Sequence, residues 1–278
     1  MSGIRPVHYI GDIHGRADLL RQMLDFIEFR SAERGIAPVI HFLGDIVDRG
    51  PESCQAMEIV HETLAKHPGS LLHLGNHDQW FLQAIDTDGE FNDVDSWIIH
   101  GGWHTMQSYT PVTDPKRAFN YIRGVYPHHV EMLRNAARWS ENGPLFAAHA
   151  GVHPRLDLET MKNTDYGLLG SADPFLWVRD PFLLNVDPEA MPVIHGHTII
   201  GRLPLVTENR ISIDTGAYET GRLTMCSIDA ESRSLSFWQT DPQARTVVEV
   251  EPHMADRGYG TIYDRLDTLF PDQKPVAA

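Results

Sequence analysis

Short apolar runs that end in small polar blocks recur along the chain, and helical patterns separate the first three. Pro6-Val7-His8-Tyr9-Ile10, Pro38-Val39-Ile40-His41-Phe42-Leu43 and Ser70-Leu71-Leu72-His73-Leu74 read as buried strands. After the first, Leu19, Leu20, Met23, Leu24 and Ile27 recur at helical spacing through Phe29, with Gly35 and Pro38 marking the exit. Pro51 opens a second helix whose Met57, Val60 and Leu64 form an apolar stripe ending before Pro68-Gly69. Trp80, Phe81, Leu82 and Ile85 continue the helical spacing after the third strand and read as core. Strand, helix, strand, helix, strand predicts a right-handed unit on a parallel sheet.

The second half repeats the strand pattern. Pro144 to Ala148 runs into His149-Ala150-Gly151, and Met191 to Ile194 runs into His195-Gly196-His197-Thr198. Residues 211–216, 222–228 and 234–238 read as further strands in an antiparallel run that closes a second sheet. The expected fold class is α/β with α+β character: two packed mixed β-sheets flanked by helices. We expect a single domain over 1–278, with a core of about 6–240 and a tail of 241–278. The tail is polar apart from Ile262, Leu266, Leu269 and Phe270, which fit a short docked helix or a partner-binding element. Residues 86–143 are expected to form a cap, and the poorly periodic 153–176 to form a loop.

The polar blocks carry the chemistry. Gly11-Asp12-Ile13-His14-Gly15, Gly44-Asp45-Ile46-Val47-Asp48-Arg49-Gly50 and Gly75-Asn76-His77-Asp78 each follow a strand-like run, where α/β folds place ligand sites. On an extended segment Asp12 and His14 would leave the chain on one side and converge on one ion. His195 shares that spacing with His197 and could be a ligand on spacing alone. His8, His41 and His73 sit inside strand runs and are expected to pack there. Asp214 either braces a ligand histidine from behind or holds a turn.

The ordered blocks at 11–15, 44–50, 75–78, 149–151 and 196–198 resemble the calcineurin-like metallophosphoesterases and, within them, the PPP-type serine/threonine phosphatases. Asp48-Arg49-Gly50 and Asn76-His77-Asp78 discriminate that branch. Trp97, Gly101-Gly102, Thr105, Trp177-Val178-Arg179-Asp180 and His197-Thr198 are similar to the bacterial and phage (lambda-type) members. The resemblance spans about 6–228 and implies a four-layer metallophosphoesterase sandwich. It implies that Asp12, His14 and Asp45 bind one divalent metal and that Asp45, Asn76, His149 and His197 bind a second, with Asp45 bridging. The same pattern sets the ligand at His197 and leaves His195 a core or supporting residue, and position 199, a further histidine in much of the superfamily, is Ile199 here. The metals are expected to be Mn²⁺, with Fe or Zn²⁺ compatible with the same ligands.

Such a site stays positive, because four cationic charges meet only two from Asp12 and Asp45. It should attract a phosphomonoester despite the formal charge of −15. A water between ions roughly 3.5–4 Å apart ionises near neutral pH and is expected to attack phosphorus in line. Arg49 and Arg179 fit a phosphate clamp, and His77, oriented by Asp48, fits the general acid. The duller readings are an Asp48–Arg49 ion pair and an Arg179 held only by Asp180. The expected activity is a metal-dependent phosphomonoester hydrolase acting on phosphoserine or phosphothreonine in proteins, or on a small phosphoester. The alternatives are a symmetrical dinucleoside tetraphosphate hydrolase and a non-catalytic metal-bound scaffold.

Composition narrows the partners. A pI of about 5.4 argues against nucleic acid and anionic membrane. Cys54 and Cys226 make no disulfide framework, no apolar run reaches the roughly 20 residues of a membrane span, and the first strand begins by residue 7. A cytoplasmic location is therefore expected.

Overall fold

The structure is a computed structural model describing residues 5–143, 145–167, 172–256 and 258–269. The expectations for Pro144, for 168–171 and for Phe270 lie outside the described residues. Twelve strands are present among them: β1 Val7–Ile10, β2 Val39–Phe42, β3 Leu71–Leu72, β4 Trp139–Asn142, β5 Leu145–Ala148 and β6 Val193–His195. They continue as β7 Leu205–Val206, β8 Arg210–Ser212, β9 Thr224–Asp229, β10 Ser234–Asp241, β11 Thr246–Val250 and β12 His253–Met254. The first seven helices are α1 Ala17–Arg34, α2 Ser53–Lys66, α3 Asn76–Asp86, α4 Val94–Trp97, α5 Trp103–Tyr109, α6 Pro115–Val125 and α7 Pro127–Arg134.

These strands form two six-stranded mixed sheets, ordered β11-β10-β9-β1-β2-β3 and β12-β7-β8-β6-β5-β4. The expected parallel unit is present, with Val7 opposite Val39 and His41 opposite Leu71. Side-chain alternation explains how two faces are covered at once. Val7, Tyr9 and Val39 share one apolar cluster with Leu145, Ala147 and Ile194 of the other sheet. Their neighbours Ile10, Ile40 and Phe42 instead join Leu20, Met23, Met57 and Val60 of the helices. Helix α1 stops where Gly35 takes a left-handed φ of 64° and donates its N–H to Ala32 O.

The last strands correct the expectation of an antiparallel run closing the second sheet. Of the three strands expected there, only the first, β8, lies in that sheet, and it is parallel to β6. β9 instead pairs antiparallel with β1, Val7 opposite Ile228, on the edge that the parallel crossovers leave open, and β10 and β11 extend it outward. The segment read as a loop carries short helices at Leu158–Asn163 and Pro174–Trp177, each entered through an aspartate whose carboxylate accepts a backbone N–H. In the tail, Ile262 and Leu269 pack into the inter-sheet cluster, as a docked helix would. Among the described residues no helix is long and apolar enough to cross a membrane.

Three strand histidines pack inside the fold as expected. His8 Nδ1 bonds Ser227 Oγ, His73 bonds Phe42 O and Ser140 Oγ, and His41 meets Tyr9 edge-on. Burial lowers His8 and His41 to about 4 and His73 to about 3. The unfolded chain takes up these protons below pH 6.5 and the folded chain does not, so stability is intact above that pH and falls as pH drops toward 4. Each costs about 2 kcal/mol by pH 5. Buried carboxyls such as Asp78, raised to about 7, act in the opposite sense, so the test is a difference: His73→Gln protein should lose about 2 kcal/mol less stability than wild type between pH 7.5 and pH 5 in urea unfolding, and an equal loss would show that this ring is not neutral in the fold.

Candidate metal centre and catalytic residues

The polar blocks converge because they follow the carboxyl ends of β1, β2, β3, β5 and β6, where each chain turns away from its sheet. The turns are bonded to one another: Ile13 and His14 N–H donate to Asp45 O, Gly15 N–H to Ile46 O, Gly50 N–H to His14 O and Gly196 N–H to His149 O. His197 N–H donates to the Asp12 carboxylate at 3.1 Å. Of the eight described non-glycine residues with positive φ, five are His14, Asp45, Asp48, Arg49 and His197. Each strained backbone costs roughly 1–3 kcal/mol, and the cross-bonded turns hold them there. His14 is therefore aimed by a left-handed turn at φ 46° beyond β1, not by the strand alternation expected from sequence.

Asp45 is the hub. Its Oδ2 lies 3.5 Å from His14 Nε2 and 3.5 Å from His149 Nε2, and its Oδ1 accepts His77 N–H at 2.9 Å. His14 Nδ1 bonds Val47 O and His149 Nδ1 bonds Leu43 O. A carbonyl only accepts, so both Nδ1 atoms carry the proton and both Nε2 atoms of the neutral rings turn a lone pair toward a carboxylate. Burial drives both rings toward neutrality, well below the usual range for His14. Acceptors facing acceptors call for a cation.

Asn76 repeats the pattern. Its Oδ1 lies 3.0 Å from His149 Nε2 and 2.8 Å from His197 Nδ1, while buried His197 Nε2 has no hydrogen-bond partner among the described residues. Burial, joined by neighbouring Asp214 and Asp45, raises the Asp12 carboxyl. Burial also opposes ionisation of Asp45, but the charge carried by His77 counters it and holds that carboxyl below its usual range. His14, Asp45 and His77 form one potential metal-holding group, and Asp45, His149 and His197 another. The donor set of carboxylate, amide and imidazole fits divalent cations.

A chain of hydrogen bonds runs beside this cluster. Asp48 Oδ2 accepts from His77 Nδ1 at 2.7 Å, and Asp48 Oδ1 accepts from Thr105 Oγ1 at 2.6 Å and Trp97 Nε1 at 3.2 Å. Burial works against a charged His77, but Asp45 and Asp48 overcome it and raise its pKa. Arg49 Nη2 reaches His77 Nε2 at 3.3 Å, so Arg49 does not pair with Asp48 as the structural reading required. Arg179 is exposed and bonds Thr198 Oγ1 at 3.0 Å and His197 O at 3.4 Å. Trp177 Nε1, bonded to Gln79 Oε1 at 2.8 Å, ties the Arg179 segment to α3. The cap segment meets this chain through Trp97, Thr105 and Gly101, where a Cβ would overlap Arg49 N.

His195 is satisfied by Ser212 Oγ at 2.7 Å and Gly196 O at 2.9 Å, as a core residue is. Asp214 accepts Gly216 N–H at 2.9 Å, which is the turn role. Two residues escaped the sequence reading. Fully buried Asp78 accepts Ile46, Val47 and Gly75 N–H groups and so fixes the Asp45 turn against the start of α3. Tyr218 lies 4.6 Å beneath the Arg49 guanidinium and edge-on to His14. Asp78 had a signal, standing third in a helix that opens on glycine; Tyr218 had none.

Comparison with known proteins agrees with this geometry. The family described as calcineurin-like phosphoesterase matches residues 5–222. The chain is 25% identical over 237 residues to serine/threonine-protein phosphatase 2 of Escherichia coli K12, covering 81% of this chain and 93% of that one. It is 27% identical over 155 residues to a symmetrical bis(5'-nucleosyl)-tetraphosphatase of Aeromonas salmonicida, covering 56% of this chain and 48% of that one. It is also 27% identical over 229 residues to the asymmetrical bis(5'-nucleosyl)-tetraphosphatase PrpE of Geobacillus sp., covering 78% and 88%. The match over most of the chain, on a cluster built to hold divalent cations, places this protein in the calcineurin-like phosphoesterase family as a metal-binding hydrolase.

Proposed function

We propose that the protein is a phosphomonoesterase dependent on two divalent metals, Mn²⁺ foremost, and that it acts on phosphoserine and phosphothreonine in proteins. Asp12, His14 and Asp45 would hold one metal, and Asp45, Asn76, His149 and His197 the other. When bound, the ions supply positive charge and acidify a water. Arg49 and Arg179 would grip the phosphoryl oxygens, each guanidinium offering two parallel donors. His77 would release a proton from Nε2 to the departing oxygen, while Asp48, on Nδ1, holds the ring in line and supports its charge.

One observation carries the substrate reading. The His77–Asp48 pair is braced by Thr105 and Trp97, both donating to the second Asp48 oxygen. A serine or threonine alkoxide is a poor leaving group and gains much from such an acid; a nucleoside polyphosphate leaves readily without one. The relative named as a serine/threonine phosphatase supports the same choice. The two tetraphosphatase relatives support the other, so the reading needs a direct comparison. With Mn²⁺ present, a phosphoserine peptide and p-nitrophenyl phosphate should turn over faster than diadenosine tetraphosphate. Rapid nucleotide cleavage with a silent phosphopeptide would overturn it, and turnover of none by metal-loaded protein would favour the scaffold.

A further inference from the structure

We propose that Glu58, His128 and His129, with His61 beside them, form a second metal site of the zinc type, separate from the Asp45 cluster. Nothing in the reaction uses these residues. Glu58 lies on α2, and His128 and His129 lie at the start of α7. Both imidazoles aim Nε2 at one carboxylate oxygen: Glu58 Oε2 is 3.2 Å from His128 and 3.1 Å from His129. Two ligand atoms on one tetrahedral zinc, bonded at about 2.0–2.1 Å, stand about 3.3 Å apart, so the cluster needs little movement to close on an ion. His61 sits one turn along α2 from Glu58, with its ring centroid 4.9 Å from that of His128.

The surroundings suit an ion. His129 is fully buried, and its other nitrogen meets Tyr109 OH at 2.9 Å, the outer partner that orients a ligating imidazole. The side chains of Glu58 and His128 are 42% and 35% exposed, which leaves an entry path. Two imidazoles and one carboxylate favour Zn²⁺ over the harder Mn²⁺. An ion here would staple α2 to α7 and, through Tyr109, to α5. These helices also carry Ser53 and Thr105, which both bond Asp48 N–H. The site would thus stiffen the support of the general acid without touching substrate.

The test compares the Mn²⁺-loaded full chain with Glu58→Gln and Glu58→Gln/His128→Asn proteins of matched circular dichroism. Zn²⁺ is followed by elemental analysis after gel filtration, and Co²⁺ by its visible absorption. Zn²⁺ and Co²⁺ also compete for the Asp45 cluster, so the readout is the difference between proteins. Wild type should bind one Zn²⁺ more than the double variant, show a stronger tetrahedral Co²⁺ band and gain more in melting temperature with Zn²⁺. Wild type that takes up no further Zn²⁺, or a double variant that takes up as much as wild type, would overturn the proposal.

Discussion

Asp45→Asn protein should fold, lose metal and lose phosphatase activity together. The amide keeps an oxygen in place of the Oδ1 that accepts His77 N–H at 2.9 Å, so the start of α3 is preserved. What disappears is the charge between His14 and His149, each 3.5 Å from Oδ2. Asp12 then remains as the one anionic ligand proposed for two dications. Removing an outer partner of a metal ligand costs about 10–100-fold in affinity or activity, and loss of a shared ligand should exceed that. Elemental analysis and p-nitrophenyl phosphate turnover against added Mn²⁺ measure both effects. A variant with wild-type metal content and activity would remove Asp45 from the centre of the site.

His77→Asn should behave in the opposite way, keeping its metal and slowing by about 10²–10⁴-fold on a phosphoserine peptide. His77 lies within reach of His14 and Asp45, so geometry alone would also admit it as a ligand. Its two ring nitrogens, however, already face Asp48 and Arg49. The leaving group separates the roles further. Nitrophenolate departs without a proton, so the loss on p-nitrophenyl phosphate should be much smaller than on the peptide. Equal losses on the two substrates would exclude a proton donor, and a fall in bound metal would make His77 a ligand.

Much of this site is legible before the fold is known, because a metal cluster at the ends of parallel strands needs its ligands just after apolar runs. Asp12, Asp45, Asn76, His149 and His197 all stand there, and the structure brings them together. The turns themselves are legible from their glycines, but the backbone that aims the ligands is not. His14 and His197 reach inward through left-handed backbone, which no alternation rule describes. Sheet membership after β8 was not legible, since β9 carries the same apolar pattern whichever edge it joins. Strands β4, β7 and β12 are too short or too polar to stand out from their neighbours. The partners of Arg179 were equally hidden: adjacent Asp180 suggested an ion pair, while the chain turns at Arg179, with φ −129° and ψ −107°, and its guanidinium meets Thr198.

The account rests on two cations that share Asp45. Anomalous scattering from crystals grown with Mn²⁺, using protein whose turnover has been measured, tests it most directly. Two peaks flanking the Asp45 carboxylate in fully active protein are the predicted result; a single peak or none there, at full activity, would contradict it.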